Sequence, residues 1–185
     1  MPVQFSGEPA TRWLTLPAPD RNMQLLEDFW FEDRAGRRWD APKDSVVDGT
    51  SIPQALWAVV GSPYTGFYRR ASIVHDIACD NAKTEDDRRA ADRMFYEACR
   101  EGGCSVEEAL VLYTGVRIGA AWGVHPWFSA VPQIRTARPA LDKAIEAQFQ
   151  MVSERALRDL PADDAGAVEA RIDEVLDAVR AMAPQ

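Results

Sequence analysis

The residues best equipped for chemistry are His75 and Asp76, adjacent in the stretch ASIVHDIACD at 71–80. Neighbours on a helix diverge by about 100°, yet both reach one ion lodged at the seam between their directions. A neutral imidazole beside a carboxylate suits a transition metal such as Zn, Mn or Fe, and the cofactor expected is a divalent ion, Zn, Mn or Mg. The competing reading is a half-buried histidine whose ring is satisfied by a carboxylate or carbonyl. Asp92, in ADRMFYEA, is the second point. Aspartate is a poor helix former away from the first turn, and this one borders an apolar stripe. It needs a partner, either Arg88 one turn back or His75 from the preceding helix. The third point is VDGTSIP, residues 47–53. Gly49 permits a tight turn, Ser51 can cap a helix, and Asp48 suits the positive end of a helix dipole. Alternatively Asp48 is a ligand or general base, with Thr50 and Ser51 contacting substrate. A Ser51–His75 acyl hydrolase is a third option, but no GxSxG elbow is present, and serine before Ile-Pro is more economically a cap. Cys79 stands four residues after His75 and reads first as a small buried residue. Cys99 and Cys104 read as structural, and His125 before Pro126 as part of a turn.

These side chains need elements to position them. Residues 1–50 read as β: a strand beginning at Trp13, Leu14 and Leu16, the run MQLLEDFWFED at 23–33, a turn at Ala35–Gly36, and a return strand over Arg37–Asp40. From residue 53 the period changes. PQALWAVVG fits a short helix with proline in its first turn and Gly61 as its stop. FYRRASIVHDIACDNA places Phe67, Ala71, Val74 and Ala78 on one helical face. Thr84 to Asp87 resembles a capping box and opens a helix with Ala91, Met94, Phe95 and Ala98 as its core stripe. Gly102–Gly103 closes it. Ser105 to Glu108 is a second box, before a helix burying Ala109, Leu112, Tyr113, Val116 and Ala120. The helices flanking residues 82–83 are joined by a short loop and predict an antiparallel pair. His75 and Asp92 lie at similar depths in it, so a meeting is feasible.

Residues 124–137 hold two prolines and no clear period, and read as a connector. Beyond them Leu141, Ile145, Phe149 and Val152, then Val168, Ile172, Val175, Leu176 and Val179, give two amphipathic helices, with 159–177 strongly acidic. The expectation is an α+β protein. A single domain spans 1–123, with a small N-terminal antiparallel β-sheet (1–50) packed on a helical core (53–123). The connector follows, then a C-terminal helical hairpin or arm over 138–185. The arm either packs on the domain or mediates self-association.

The 185 residues suffice for one compact core plus an appendage. A hydrophobic share of 46% with 27% charged residues is globular, not disordered. A net charge of −8 argues against nucleic acid as a partner. Arg69–Arg70 is one of several pairs that leave room for a small anion. No apolar run approaches the ~20 residues that span a bilayer. No signal-peptide pattern opens the chain, and three cysteines without CxxC spacing suit a reducing compartment. Cytoplasmic synthesis is expected, with virion association as an option.

The ordered set DGTSIPQALWAVVGSPYTGFYRRASIVHD, then ADRMFYEA, then the tyrosine-bearing helix ending in GAAWG, resembles DUF1353, a domain family of unknown function common in bacteriophages and prophages. The resemblance covers about residues 45–123. Leu112–Tyr113 and Trp122 fall where the family pattern expects them. Ile77 stands where members often carry an aromatic, and the 138–185 arm lies outside the pattern. The resemblance implies a polar site of Asp48, His75, Asp76 and Asp92, but no reaction. Two functional expectations follow. One is a small metal-dependent hydrolase acting on a phosphoester, nucleotide or cell-wall peptide. Asp48, His75 and Asp92 hold its ion, Asp76 and His75 act in catalysis, and Thr50, Ser51, Arg69 and Arg70 contact substrate. The other is a non-catalytic phage structural, assembly or host-interaction protein, whose Asp/His set is a hydrogen-bond network and whose acidic arm binds a second copy or a phage or host protein.

Overall fold

The computed structural model describes residues 3–15, 22–48, 52, 56–61, 65–121, 139–158 and 163–182. Leu16, Thr50, Ser51, Pro53, Trp122 and the 124–137 connector lie outside the described residues, as do the side chains of Leu141 and Val179. The fold is α+β. Six short strands come first: β1 (Gln4–Phe5), β2 (Thr11–Leu14), β3 (Asn22–Leu25), β4 (Phe29–Glu32), β5 (Arg38–Ala41) and β6 (Val46–Val47). They form two antiparallel sheets, ordered β1-β4-β5 and β2-β3-β6. The run at 23–33 is therefore two strands in different sheets. Met23, Leu25, Phe29 and Phe31 are all buried, so the odd-numbered face of a strand resumes in β4 after three exposed residues, Leu26, Glu27 and Asp28. The Asp28 carboxylate accepts from Lys43 N at 2.8 Å and fixes the bend. The turn after β4 is held by Asp33, which accepts from Arg37 N and from Trp39 Nε1, each at 2.8 Å.

The helices are α1 (Trp57–Val60), α2 (Arg69–Asn81), α3 (Glu85–Gly102), α4 (Val106–Ala121), α5 (Pro139–Arg158) and α6 (Ala165–Met182). α2 packs between β4, β5 and β6 on one side and α3 on the other. It buries every residue from Ala71 to Ile77. The single apolar face expected for it is too narrow. Ala78 is only half-buried, and Phe67 precedes the helix and is 63% exposed. The backbone of Phe67 explains Gly102: a Cβ there would stand 2.3 Å from the Phe67 carbonyl oxygen.

α3 begins with the expected box. Thr84 Oγ1 accepts from Asp87 N at 3.1 Å, and the Asp87 carboxylate accepts from Thr84 N at 3.0 Å. Gly103 ends it at φ 110°. Ser105 Oγ accepts from Glu108 N at 3.1 Å and caps α4. α5 packs on α4, and α6 packs on α5, α3 and α4. Ile145, Phe149, Val152, Val168, Ile172 and Leu176 join the same hydrophobic core as α2, α3 and α4. Ion pairs reinforce the seam: Arg89 with Asp173, Arg93 with Glu169, and Arg100 with Asp163. No helix among the described residues is long and apolar enough to cross a membrane.

Candidate functional site

The loop over 82–84 turns α3 back along α2 and brings His75 to Asp92. His75 Nε2 lies 2.8 Å from Asp92 Oδ1. Both side chains are fully buried, as is Cys79, whose Sγ lies 3.4 Å from the same ring nitrogen. The Phe95 ring packs over the imidazole with centroids 4.6 Å apart. Phe95 is one turn from Asp92, so α3 supplies both the carboxylate and the apolar lid of the ring.

Asp92 has further partners. Arg88 Nε donates to Oδ1 at 3.0 Å, and an Arg117 Nη donates to Oδ2 at 3.2 Å. Burial pushes the Asp92 carboxyl up. The His75 hydrogen bond and the Arg88 and Arg117 charges outweigh it and hold the group at about 2. For His75, burial lowers the imidazole below its ordinary 6.5 despite Asp92. The pair at neutral pH is thus a carboxylate and a neutral imidazole. A carboxylate only accepts hydrogen bonds, so the proton sits on Nε2 and Nδ1 carries the lone pair. Cys79 Sγ shares that N–H as a weak acceptor. Among the described residues Nδ1 has no hydrogen-bond partner.

The other expected residues are placed as follows. Asp76 is buried on α2 beside His75. Asp48 is half-buried near the far end of α2. There its charge adds to burial in raising the Asp80 carboxyl. Arg70 pairs with Glu8 at 3.3 Å and lies 4.5 Å above the Phe5 ring. Arg69 is half-buried at the start of α2. Arg88 and His75, posed by the sequence as alternative partners of Asp92, both bind it. Arg117 and Asp173 were not anticipated. Arg117 is a lone charge among Leu112, Tyr113, Val116 and Ile118, and such a charge in a buried helix signals a buried partner. Asp173 had no such signal in an acidic segment.

The donor set can be tested against a metal. His75, Cys79 and Asp92 each offer an atom within 4.8 Å of the others. Ligands about 2.0–2.3 Å from a tetrahedral zinc stand more than about 3.2 Å apart, whereas His75 Nε2 and Asp92 Oδ1 are 2.8 Å apart. Both Asp92 oxygens also face guanidinium groups, which repel a cation. The contacts fit a hydrogen-bonded cluster better than a metal cage.

Comparison with known proteins adds a family. The family described as "Protein of unknown function (DUF1353)" matches residues 23–116. Two uncharacterized proteins of Sinorhizobium fredii (strain NBRC 101917 / NGR234) are similar. The protein y4jT is 35% identical over 113 residues, covering 60% of this chain and 32% of y4jT. The protein y4iH is 33% identical over 110 residues, covering 58% of this chain and 45% of y4iH. The chain therefore spans less than half the length of either relative. No solved structure matches.

Proposed function

The chain belongs to the DUF1353 family, whose function is unknown, and on that premise we propose that it is a hydrolase in which His75 is the general base and Asp92 orients it. The observation that carries this reading is the asymmetry of the imidazole. Nε2 is committed to an ionised, buried carboxylate at 2.8 Å, and Nδ1 is a buried nitrogen with no partner among the described residues. A neutral ring with its tautomer fixed in this way is equipped to take a proton from attacking water. Asp92 then faces the imidazolium that forms. Arg88 and Arg117 keep Asp92 ionised throughout, so the proton stays on the ring. Asp76, and Asp48 whose charge acts on Asp80 one turn further along α2, are the carboxylates we assign to a divalent cation in place of Asp92. The cation would polarise the scissile group and the water.

The phage setting implied by the resemblance selects phosphoester, nucleotide and cell-wall peptide substrates for assay, with Zn, Mn or Mg supplied. Wild-type protein is expected to hydrolyse a member of that panel. His75→Gln keeps a donor towards Asp92 but removes the base, and should lower turnover by about 10²–10⁴-fold with an unchanged melting temperature. Absence of turnover across the panel, or an equally active His75→Gln, would sink the reading.

A second reading is favoured by one observation: His75, Cys79 and Asp92 have no exposed surface. In it the cluster is a structural network joining α2, α3 and α4, and the chain is a non-catalytic phage assembly or host-interaction protein. His75→Ala would then cost about 1–3 kcal/mol of stability. A stable but inactive variant contradicts this reading. The arm would carry self-association or partner contacts, and a strictly monomeric chain by sedimentation counts against self-association.

A further inference from the structure

Asp92 is held from three directions, and His75 and Arg88 both lie within the 23–116 family match. The third partner, Arg117, lies one residue beyond it. Arg117 is a planar fork with an anion at each tip. One Nη reaches Asp92 Oδ2 at 3.2 Å and the other reaches Asp173 Oδ1 at 3.0 Å on α6. The second Asp173 oxygen is gripped by Arg89 of α3. A guanidinium fixed at both ends has its plane fixed too. The line of contact runs from α6 through Arg117 and Asp92 to the ring of His75. Arg117 and Asp92 are buried, so little water is at hand to replace their contact, while Asp173 is a quarter exposed and lines a polar cleft with Arg89 and Arg117.

We propose that Arg117 and Asp173 are positioning residues of the His75–Asp92 pair, and that the C-terminal hairpin is therefore a component of the site. Asp173 fixes Arg117, Arg117 fixes the Asp92 carboxylate, and the carboxylate fixes the Nε2–H of His75. The neighbouring Arg93–Glu169 and Arg100–Asp163 pairs dock the same hairpin but touch neither Asp92 nor Arg117. They serve as internal controls. The catalytic meaning of the proposal rests on the general-base reading, but the geometry is testable without any reaction.

The test follows the His75 Nε2–H proton in the full chain labelled with ¹⁵N-histidine. The sequence has only two histidines, and the His75→Gln spectrum assigns the signals. Exchange of this proton with water is measured at neutral pH, beside exchange of the α2 and α3 backbone amides. Asp173→Asn and Arg117→Met should each speed imidazole exchange by about tenfold with backbone exchange unchanged. Asp173→Glu should restore most of the protection. The double variant should be no faster than Arg117→Met alone. Glu169→Gln should leave the proton as in wild type. Unchanged exchange in Asp173→Asn overturns the proposal, as does acceleration matched by the backbone amides or by Glu169→Gln. If exchange responds as expected while no substrate is turned over, the positioning stands and the hydrolase reading fails.

Discussion

Asp92 and Asp163 do the same thing in two places with different access to water. Asp92 is engaged by two guanidinium groups and by His75, and the Asp163 carboxylate by the Arg100 guanidinium and by the Tyr96 hydroxyl. The Asp92 side chain is fully buried, while Asp163 is 38% exposed. At Asp163 the Arg100 hydrogen bonds lower the carboxyl against a smaller effect of burial. At Asp92 burial is the largest influence and acts upward, yet the partners still bring the group to about 2. Water screens the first cluster and would solvate either partner if the other were lost. No such substitute exists at the second. The contact geometry is similar, but the consequence of breaking it is not.

The sharpest way to break that contrast is Asp92→Ala. Arg88 and Arg117 would be left as buried cations without their shared anion, which costs about 3–5 kcal/mol by denaturant unfolding. A loss below about 1 kcal/mol would place Asp92 in the same class as Asp163.

Acid comes next in size. The folded Asp92 pKa lies below its unfolded value near 3.8. Its stabilisation is therefore present above that value and is lost as pH falls towards about 2, amounting to about 2 kcal/mol. The folded His75 pKa also lies below 6.5, so the unfolded chain takes that proton first and stability begins to fall as pH drops through 6.5. Stability measured from pH 7 to pH 2 should decline in two stages, and Asp92→Asn should shrink the lower one, which Asp87 and Asp163, also lowered, share.

The smallest effect belongs to the hairpin seam. Asp163→Asn should cost no more than about 1 kcal/mol, and the difference should shrink with added salt. A larger, salt-independent loss would mean that the hairpin is held as tightly as the site.

How much of this was legible depended on whether a signal was local. The Thr84–Asp87 box, the Ala91–Ala98 stripe and the turn at Gly36 rest on neighbouring residues, and the structure shows each of them. The meeting of His75 and Asp92 was legible only as feasible, from a short loop and matched depth, with Arg88 as the alternative partner. The division of 23–33 between two sheets was not legible, because the buried positions keep odd parity on both sides of the corner and only the exposed Glu27 interrupts them. The α2 face was read too narrowly, since burial on two sides depends on what packs there. Arg117 gave a signal, a charge in an apolar helix, but its second partner lies 56 residues on. No periodicity pairs residues at that distance.

The central claim is that Asp92 holds a neutral His75 with its proton on Nε2 and its lone pair on Nδ1. The most direct measurement is the pair of ¹⁵N imidazole shifts of His75 at neutral pH in the full chain. The account predicts one protonated nitrogen, Nε2, and one unprotonated nitrogen, Nδ1, with the Nε2 signal altered in Asp92→Asn. A proton on Nδ1, or on both nitrogens, would contradict it.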